Sequence, residues 1–224
     1  MELIATPRIE FLRGITAEIT HNYGRGRVIV AVDGIEGSGT REFADGLAET
    51  FRETGYDTFR ASINDFHNPR ERRRRLGEDS PQGFYEDSYD YRTFRRVLID
   101  PFRMAGSAGF QTAAFDVRRD DNRQSRWLTS GKDAVLIVDG VFLNRDELRG
   151  IWNYSLYLEV PWASAYARLA AEFGVDADAD AASNSRYRRG QELYLLDAFP
   201  RGRANAIVDN TNAEKPTRVF ADSC

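Results

Sequence analysis

The stretch Val30-Ala-Val-Asp-Gly-Ile-Glu-Gly-Ser-Gly-Thr-Arg41 decides how the rest of the chain is read. The β-branched run from Val28 to Val32 is continuous rather than alternating, the pattern of a strand covered on both faces in a parallel sheet. It runs into Gly34, four residues intervene, and Gly39 opens a segment where Phe43, Leu47 and Phe51 recur at helical spacing. Strand, glycine-bounded loop and helix are the layout of the phosphate-binding loop G-x-x-x-x-G-K-[ST], whose backbone N–H groups and helix N-terminus cradle an anion. The amides from Glu36 to Thr40 are the expected donors. The last two positions depart from the pattern: Thr40 stands where the lysine belongs, and Arg41 where the hydroxyl belongs. A glycine-rich turn without a ligand is the plainer alternative, and the strand-to-helix context argues against it.

Outward from this loop, strand and helix signals alternate. Thr6-Pro7 reads as an N-cap and first helical position, with Ile9, Leu12, Ile15 and Ile19 on one face of a helix over 6–23. The helix from Thr40 to Glu53 leads to a strand over 57–63. A charged stretch from Asn68 to Ser80 precedes a loop at 81–83 and a helix capped by Asp90, which Pro101 stops. Phe110 to Val117 reads as an edge strand or hairpin. Buried-strand runs return at 134–138, 155–160 and 206–208. Between the last two lie a helix opened by Pro161, an acidic, alanine-rich segment at about 174–185 with the composition of a lid, and a helix over 186–198. This alternation predicts an α/β chain of three layers, a five-stranded parallel sheet with helices on both faces and a small lid. One domain over 1–224 is expected, with its core at 27–212.

Composition narrows the function. The 224 residues suit one α/β domain, and 31 basic against 35 acidic residues give a net charge of −4, which disfavours a generally basic nucleic-acid binder. No apolar run approaches the roughly 18 residues of a membrane span. The opening residues alternate apolar with charged groups and lack the form of a secretory signal, so a cytoplasmic protein is expected. Cys224 is the single cysteine, leaving no internal disulfide, and two histidines without ligand spacing give no zinc site. Arg70-Glu-Arg-Arg-Arg-Arg75 has acidic neighbours and reads as a solvated surface segment. Lys132 and Lys215 are the only lysines, so chemistry that requires a lysine has two candidates.

Further pieces fall in a definite order: Ser62-Ile-Asn-Asp-Phe-His67, Asp79-Ser-Pro-Gln-Gly-Phe-Tyr85, Asp87-Ser-Tyr-Asp90, Phe115-Asp116, Val138-Asp-Gly-Val-Phe142, Arg186-Tyr187 with Gly190-Gln191, and Val208-Asp-Asn-Thr211. With Asp33 to Gly39 ahead of them, they make the chain resemble the uridine kinase-like P-loop nucleoside kinases, the bacterial branch in particular, from about Arg27 to Asn212. The resemblance implies a P-loop NTPase fold and phosphorylation of a nucleoside hydroxyl by ATP or GTP with Mg²⁺. It implies a small-molecule partner and neither nucleic acid nor membrane, and leaves a homo-oligomer open. Carried over position by position, Gly34, Glu36, Gly37, Ser38, Gly39, Thr40 and Arg41 would hold the nucleotide, joined by Arg168 and Arg186. Asn64 or Asp65 would stand at the base, Asp139 would organise Mg²⁺, and His67, Asp87, Phe115 and Arg118 would contact the substrate.

The departures fall on the chemistry. Thr40 carries no charge for the β/γ-phosphates, and Arg41 puts a cation where a metal ligand belongs. Asn64 offers an amide, no base at neutral pH, where the family has an aspartate. Asp65 is one residue along: it faces the far side of the sheet if the strand continues and reaches the site if the chain turns. Losing one preorganised charge costs about 10²–10³ in rate, and losing a general base about 10²–10⁴. An impaired nucleoside kinase is therefore expected. The alternatives are an inactive nucleotide-binding relative that acts through partners, and a kinase for another small molecule such as a sugar or pantothenate.

Overall fold

The uninterrupted apolar runs form the centre of a sheet in a computed structural model, which describes residues 3–104 and 108–220. Cys224 lies outside the described residues. Strands β1 (Arg27–Gly34), β2 (Asp57–Ser62), β5 (Ala134–Gly140), β6 (Tyr154–Glu159) and β7 (Ala206–Asp209) run parallel in the order β2-β5-β1-β6-β7. The five parallel strands are thus present, and a sixth extends them: β8 (Thr217–Val219) pairs antiparallel with β7. This strand lies beyond the predicted core, and three residues with one exposed threonine give no periodicity to read. The predicted hairpin is a pair of two-residue strands, β3 (Phe115–Asp116) and β4 (Asp121–Asn122).

Helices cover both faces. On one, α1 (Pro7–Tyr23) and α2 (Thr40–Glu53) pack over Val28, Val30, Val32, Val135 and Ile137. Thr6 caps α1 by accepting from the Ile9 N–H at 3.2 Å, with Pro7 at the first helical position. Phe11 meets the Phe43 ring edge-on, and the Thr16 and Thr50 hydroxyls lie 2.6 Å apart between the helices. On the other face, Ile29, Ala31, Leu136 and Val138 pack against α3 (Pro81–Asp87), a helical run over 91–103 and α5 (Ser185–Ala198). Helix α4 (Trp162–Phe173) follows β6.

Two local expectations are corrected. Residues 81–83 are helical rather than a loop, because Ser80 accepts from the Gly83 N–H at 3.0 Å and Pro81 opens the helix, the same signature as Thr6-Pro7. Pro101 does not stop the helix begun at Tyr91. A wider π-turn over Arg95–Ile99 carries the chain past it to Arg103, and the Val97 carbonyl accepts from the Gln111 N–H at 2.8 Å. Leu47 is fully buried under α2 and Leu196 is 83% exposed on α5. Urea titration should therefore show Leu47→Ala losing about 2–5 kcal/mol, while Leu196→Ala stays within about 0.5 kcal/mol of the parent.

Candidate functional site

All five parallel strands end at one edge of the sheet, and the loop after central strand β1 lies there, where open α/β sheets bind ligands. Its glycines are required by contact. A Cβ on Gly37, at φ +78°, would sit 2.4 Å from the Ala165 carbonyl oxygen. A Cβ on Gly34 would sit 2.4 Å from Ser38 Oγ. Two of the expected amide donors are already engaged: Glu36 N–H donates to Gln191 Oε1 at 2.6 Å, and Ser38 N–H to the Ile35 carbonyl. The amides of Gly37, Gly39, Thr40 and Arg41 have no acceptor among the described residues. They form the remaining cradle at the N-terminus of α2.

Buried polar groups hold this loop in place. Asp33 is fully buried and accepts from Gly34 N–H (2.9 Å), Leu143 N–H (3.3 Å), Asn144 Nδ2 (2.6 Å) and the Tyr194 hydroxyl. Burial pushes its carboxyl up to about 6 against those donors. Asn210, after β7, donates to the Ser38 carbonyl at 2.7 Å. Arg168 on α4 donates to the Gly37, Asn210 and Thr211 carbonyls. Sequence reading assigned no role to Asp33, Asn144, Gln191, Tyr194 or Asn210. Gln191 and Asn210 lie inside quoted motif pieces, so the signal was present; Asn144 and Tyr194 have none.

Beside the cradle a cavity of about 350 Å³ is lined by Gly37, Gly39, Thr40, Arg41, Arg168 and Asn210, and also by Arg8 from α1. Arg41 is exposed and makes no ion pair among the described residues. Lys132 precedes β5 and lies at the opposite end of the sheet. Lys215 is exposed at the loop's own edge, two residues from Ala213 on the cavity wall.

A second cavity, of about 370 Å³, lies on the other side of Glu36 and is lined by Asn64, His67, Phe84, Tyr89 and Arg186 among others. Asn64 Oδ1 accepts from the Tyr89 hydroxyl at 2.9 Å, and His67 Nδ1 lies 2.7 Å from the Asn64 carbonyl oxygen. Burial pushes the His67 imidazole down to about 4, so it is neutral at physiological pH. The turn Ile63–Phe66 ends β2 before Asp65, so strand alternation does not extend to that carboxylate. Burial raises its pKa, countered by the guanidiniums of Arg123, 3.4 Å away, and Arg41. Asp65 lines neither the first nor the second cavity.

Other predicted residues go elsewhere. Asp87 is buried, pairs with Arg75 at 3.1 Å and lines a separate surface depression. Phe115 is buried in β3, and Arg118 is exposed beyond it; neither lines the second cavity. Arg186 does line it, but its guanidinium donates to the carbonyls of Arg73, Glu78 and Ser80. The acidic segment at 174–185 is closed on itself by buried Asn184, whose Nδ2 donates to the Asp176 and Asp178 carbonyls.

Asp139, at the end of β5, is committed within the protein. Its Oδ1 accepts from Arg60 Nη2 at 2.7 Å and its Oδ2 from Ser62 Oγ at 3.1 Å. Mg²⁺ needs free oxygen ligands in near-octahedral geometry. An arginine at position 41 and a carboxylate held by arginine do not supply them, so the residues present do not fit the metal.

The chain shares its α/β fold with solved structures of P-loop kinases. It is similar to a protein described as a possible uridine kinase from Bacillus stearothermophilus, with 22% identity and TM-score 0.68 over 89% of this chain and 96% of that one. It is also similar to the YGR205w protein, with 17% identity and TM-score 0.64 over 98% and 100% of the two chains. D-glycerate 3-kinase from Cryptococcus neoformans aligns with 10% identity and TM-score 0.55 over 85% and 87%. No family model and no curated sequence matches the chain. No helix among the described residues is long and apolar enough to cross a membrane.

Glu36 carries the site's pH dependence. Burial alone pushes its carboxyl from 4.5 to about 7, with no side-chain partner to oppose it. The folded state then holds a proton that the unfolded chain has released, so stability is greatest below pH 4.5 and is lost as pH rises to about 7. Denaturant midpoints measured from pH 5 to 8 should fall with rising pH in the parent. In Glu36→Gln that fall should be clearly smaller.

Proposed function

We propose that the chain binds a nucleoside triphosphate on the 34–41 loop and presents a small hydroxyl substrate to it from the cavity beyond Glu36. The inherited reaction is phosphoryl transfer, and its turnover is impaired. The observation that carries this reading is the set of unengaged amides at Gly37, Gly39, Thr40 and Arg41, which opens between two cavities of ligand size. Backbone donors at a helix N-terminus hold phosphate without help from side-chain identity. The transfer step does depend on side chains, because it requires charge neutralisation and an oriented nucleophile.

In this reading Thr40 donates a hydrogen bond but no charge, and Arg41 places its guanidinium near the phosphates. Asn64, already accepting from Tyr89, positions a hydroxyl without removing its proton. Asp65, next to Asn64 on the turn after β2, is the carboxylate assigned to that task in this reading. The substrate is a nucleoside, as the name of the Bacillus stearothermophilus relative suggests, or a smaller polyol or hydroxy acid, as the D-glycerate kinase name suggests. A role through partner proteins in place of catalysis is the second reading, favoured by the amide at position 64. The segment at 174–185 reaches the second cavity through Ser183 and acts as its lid.

Turnover of ATP across a panel of nucleosides, sugars and glycerate tests the reading. The parent should fall well below the roughly 1–100 s⁻¹ usual for kinases. Thr40→Lys, Arg41→Thr and Asn64→Asp together should raise it by about 10² or more, while each single change does little because such groups act as a unit. A parent already in the ordinary range contradicts the impairment. A folded triple variant that binds ATP and stays inactive shows that the substrate cavity has been lost as well.

A further inference from the structure

The position where a divalent cation would be organised is filled by an internal guanidinium. Arg60 lies on β2 opposite Ile137, and Ser62 lies opposite Asp139, so Arg60, Ser62 and Asp139 share the face of the sheet that α2 covers. The Arg60 side chain follows this face to the carboxyl edge and is saturated there. Its Nε donates to Asp45 at 2.9 Å, Nη1 to the Ala61 and Ile137 carbonyls, and Nη2 to the Arg41 carbonyl and to Asp139 at 2.7 Å. Those contacts use all five guanidinium N–H groups.

Two consequences follow from that saturation. Asp139 is only 3% exposed and both of its oxygens are engaged, one by Arg60 and the other by Ser62, so neither is free for a metal. Arg60, with no donor left, supports the end of β5 and the first turn of α2 and does not reach for phosphate. Arg41 is then an exposed cation at the loop with neither a carboxylate nor a carbonyl accepting from its side chain among the described residues, held by its backbone two residues beyond Gly39.

We propose that this site takes its polyphosphate ligand free of divalent metal, with Arg60 silencing Asp139 and Arg41 supplying the counter-charge to the phosphates. The inference rests on the reading that the loop binds a nucleotide, and it adds which ionic form of that nucleotide is selected. Arg60 is a positioning residue in this account.

Calorimetric titration of the full chain with ATP, once in EDTA and once in excess Mg²⁺, tests it. The two affinities should agree within about threefold. Arg41→Thr should weaken metal-free binding by about tenfold or more, and Mg²⁺ should not restore it while Arg60 is intact. Arg60→Met combined with Arg41→Thr should create a dependence on Mg²⁺ of about tenfold, read also as Mn²⁺ bound to the ATP complex by electron paramagnetic resonance. Should the double variant fail to fold, the parent and Arg41→Thr still decide the matter. ATP that binds the parent tenfold more tightly with Mg²⁺ overturns the inference and leaves nucleotide binding standing. So does Arg41→Thr acquiring that Mg²⁺ gain with Arg60 in place. No ATP binding in either condition overturns both.

Discussion

The buried carboxylate of Asp33 is the interaction on which the loop geometry depends. It ends the central strand and gathers four donors from three places: Gly34 on its own strand, Leu143 and Asn144 after β5, and Tyr194 on α5. A carboxylate taken out of water is tolerated only when its oxygens are met this way. Losing it would orphan several buried donors, each worth about 1–3 kcal/mol of desolvation. Through this one group, the sheet edge and the helix behind it set where the chain turns at Gly34. Gln191, on the same helix as Tyr194, then fixes the next turn through the Glu36 amide. The cradle is a consequence of the core and does not depend on the residues at positions 40 and 41.

That separation means that the loop's geometry and the chemistry proposed for it rest on different parts of the chain. Phosphate binding uses main-chain donors, which any side chain leaves in place, whereas transfer uses charges on particular side chains. Here several arginines around the loop are committed within the protein. Arg168 ties the loop to the segment after β7, Arg186 ties α5 to the charged stretch at 73–80, and Arg60 ties β2 to β5 and α2. Each guanidinium that satisfies carbonyls or carboxylates inside the protein has fewer donors left for a ligand.

The fold was largely legible because its strands are buried on both faces, and continuous runs such as Val28–Val32 and Ala134–Val138 have few other uses. What escaped reading is short or non-local. Strand β8 has three residues and owes its existence to pairing with β7. The helix through Pro101 depended on a π-turn and on Gln111, ten residues away, accepting responsibility for no intrahelical partner but donating to the freed Val97 carbonyl. In the site, the loop and its two departures were visible as a pattern. The Arg60–Asp139 pair was not, because it joins residues 79 apart whose partnership only the strand register creates. Asp87 and Phe115 sit in matching motifs yet lie outside the second cavity, so motif identity and placement diverge there.

The central claim is that the main-chain cradle at 37–41 binds polyphosphate whatever side chains stand at positions 40 and 41. Backbone amide resonances recorded while ATP is added in EDTA test it most directly, since they report on the donors themselves. The account predicts that the largest shifts fall on Gly37, Gly39, Thr40 and Arg41, with Glu36 and Ser38, whose amides are already bonded, moving less. Shifts confined to the arginine-rich surface at 70–75, with the loop amides unmoved, would contradict it.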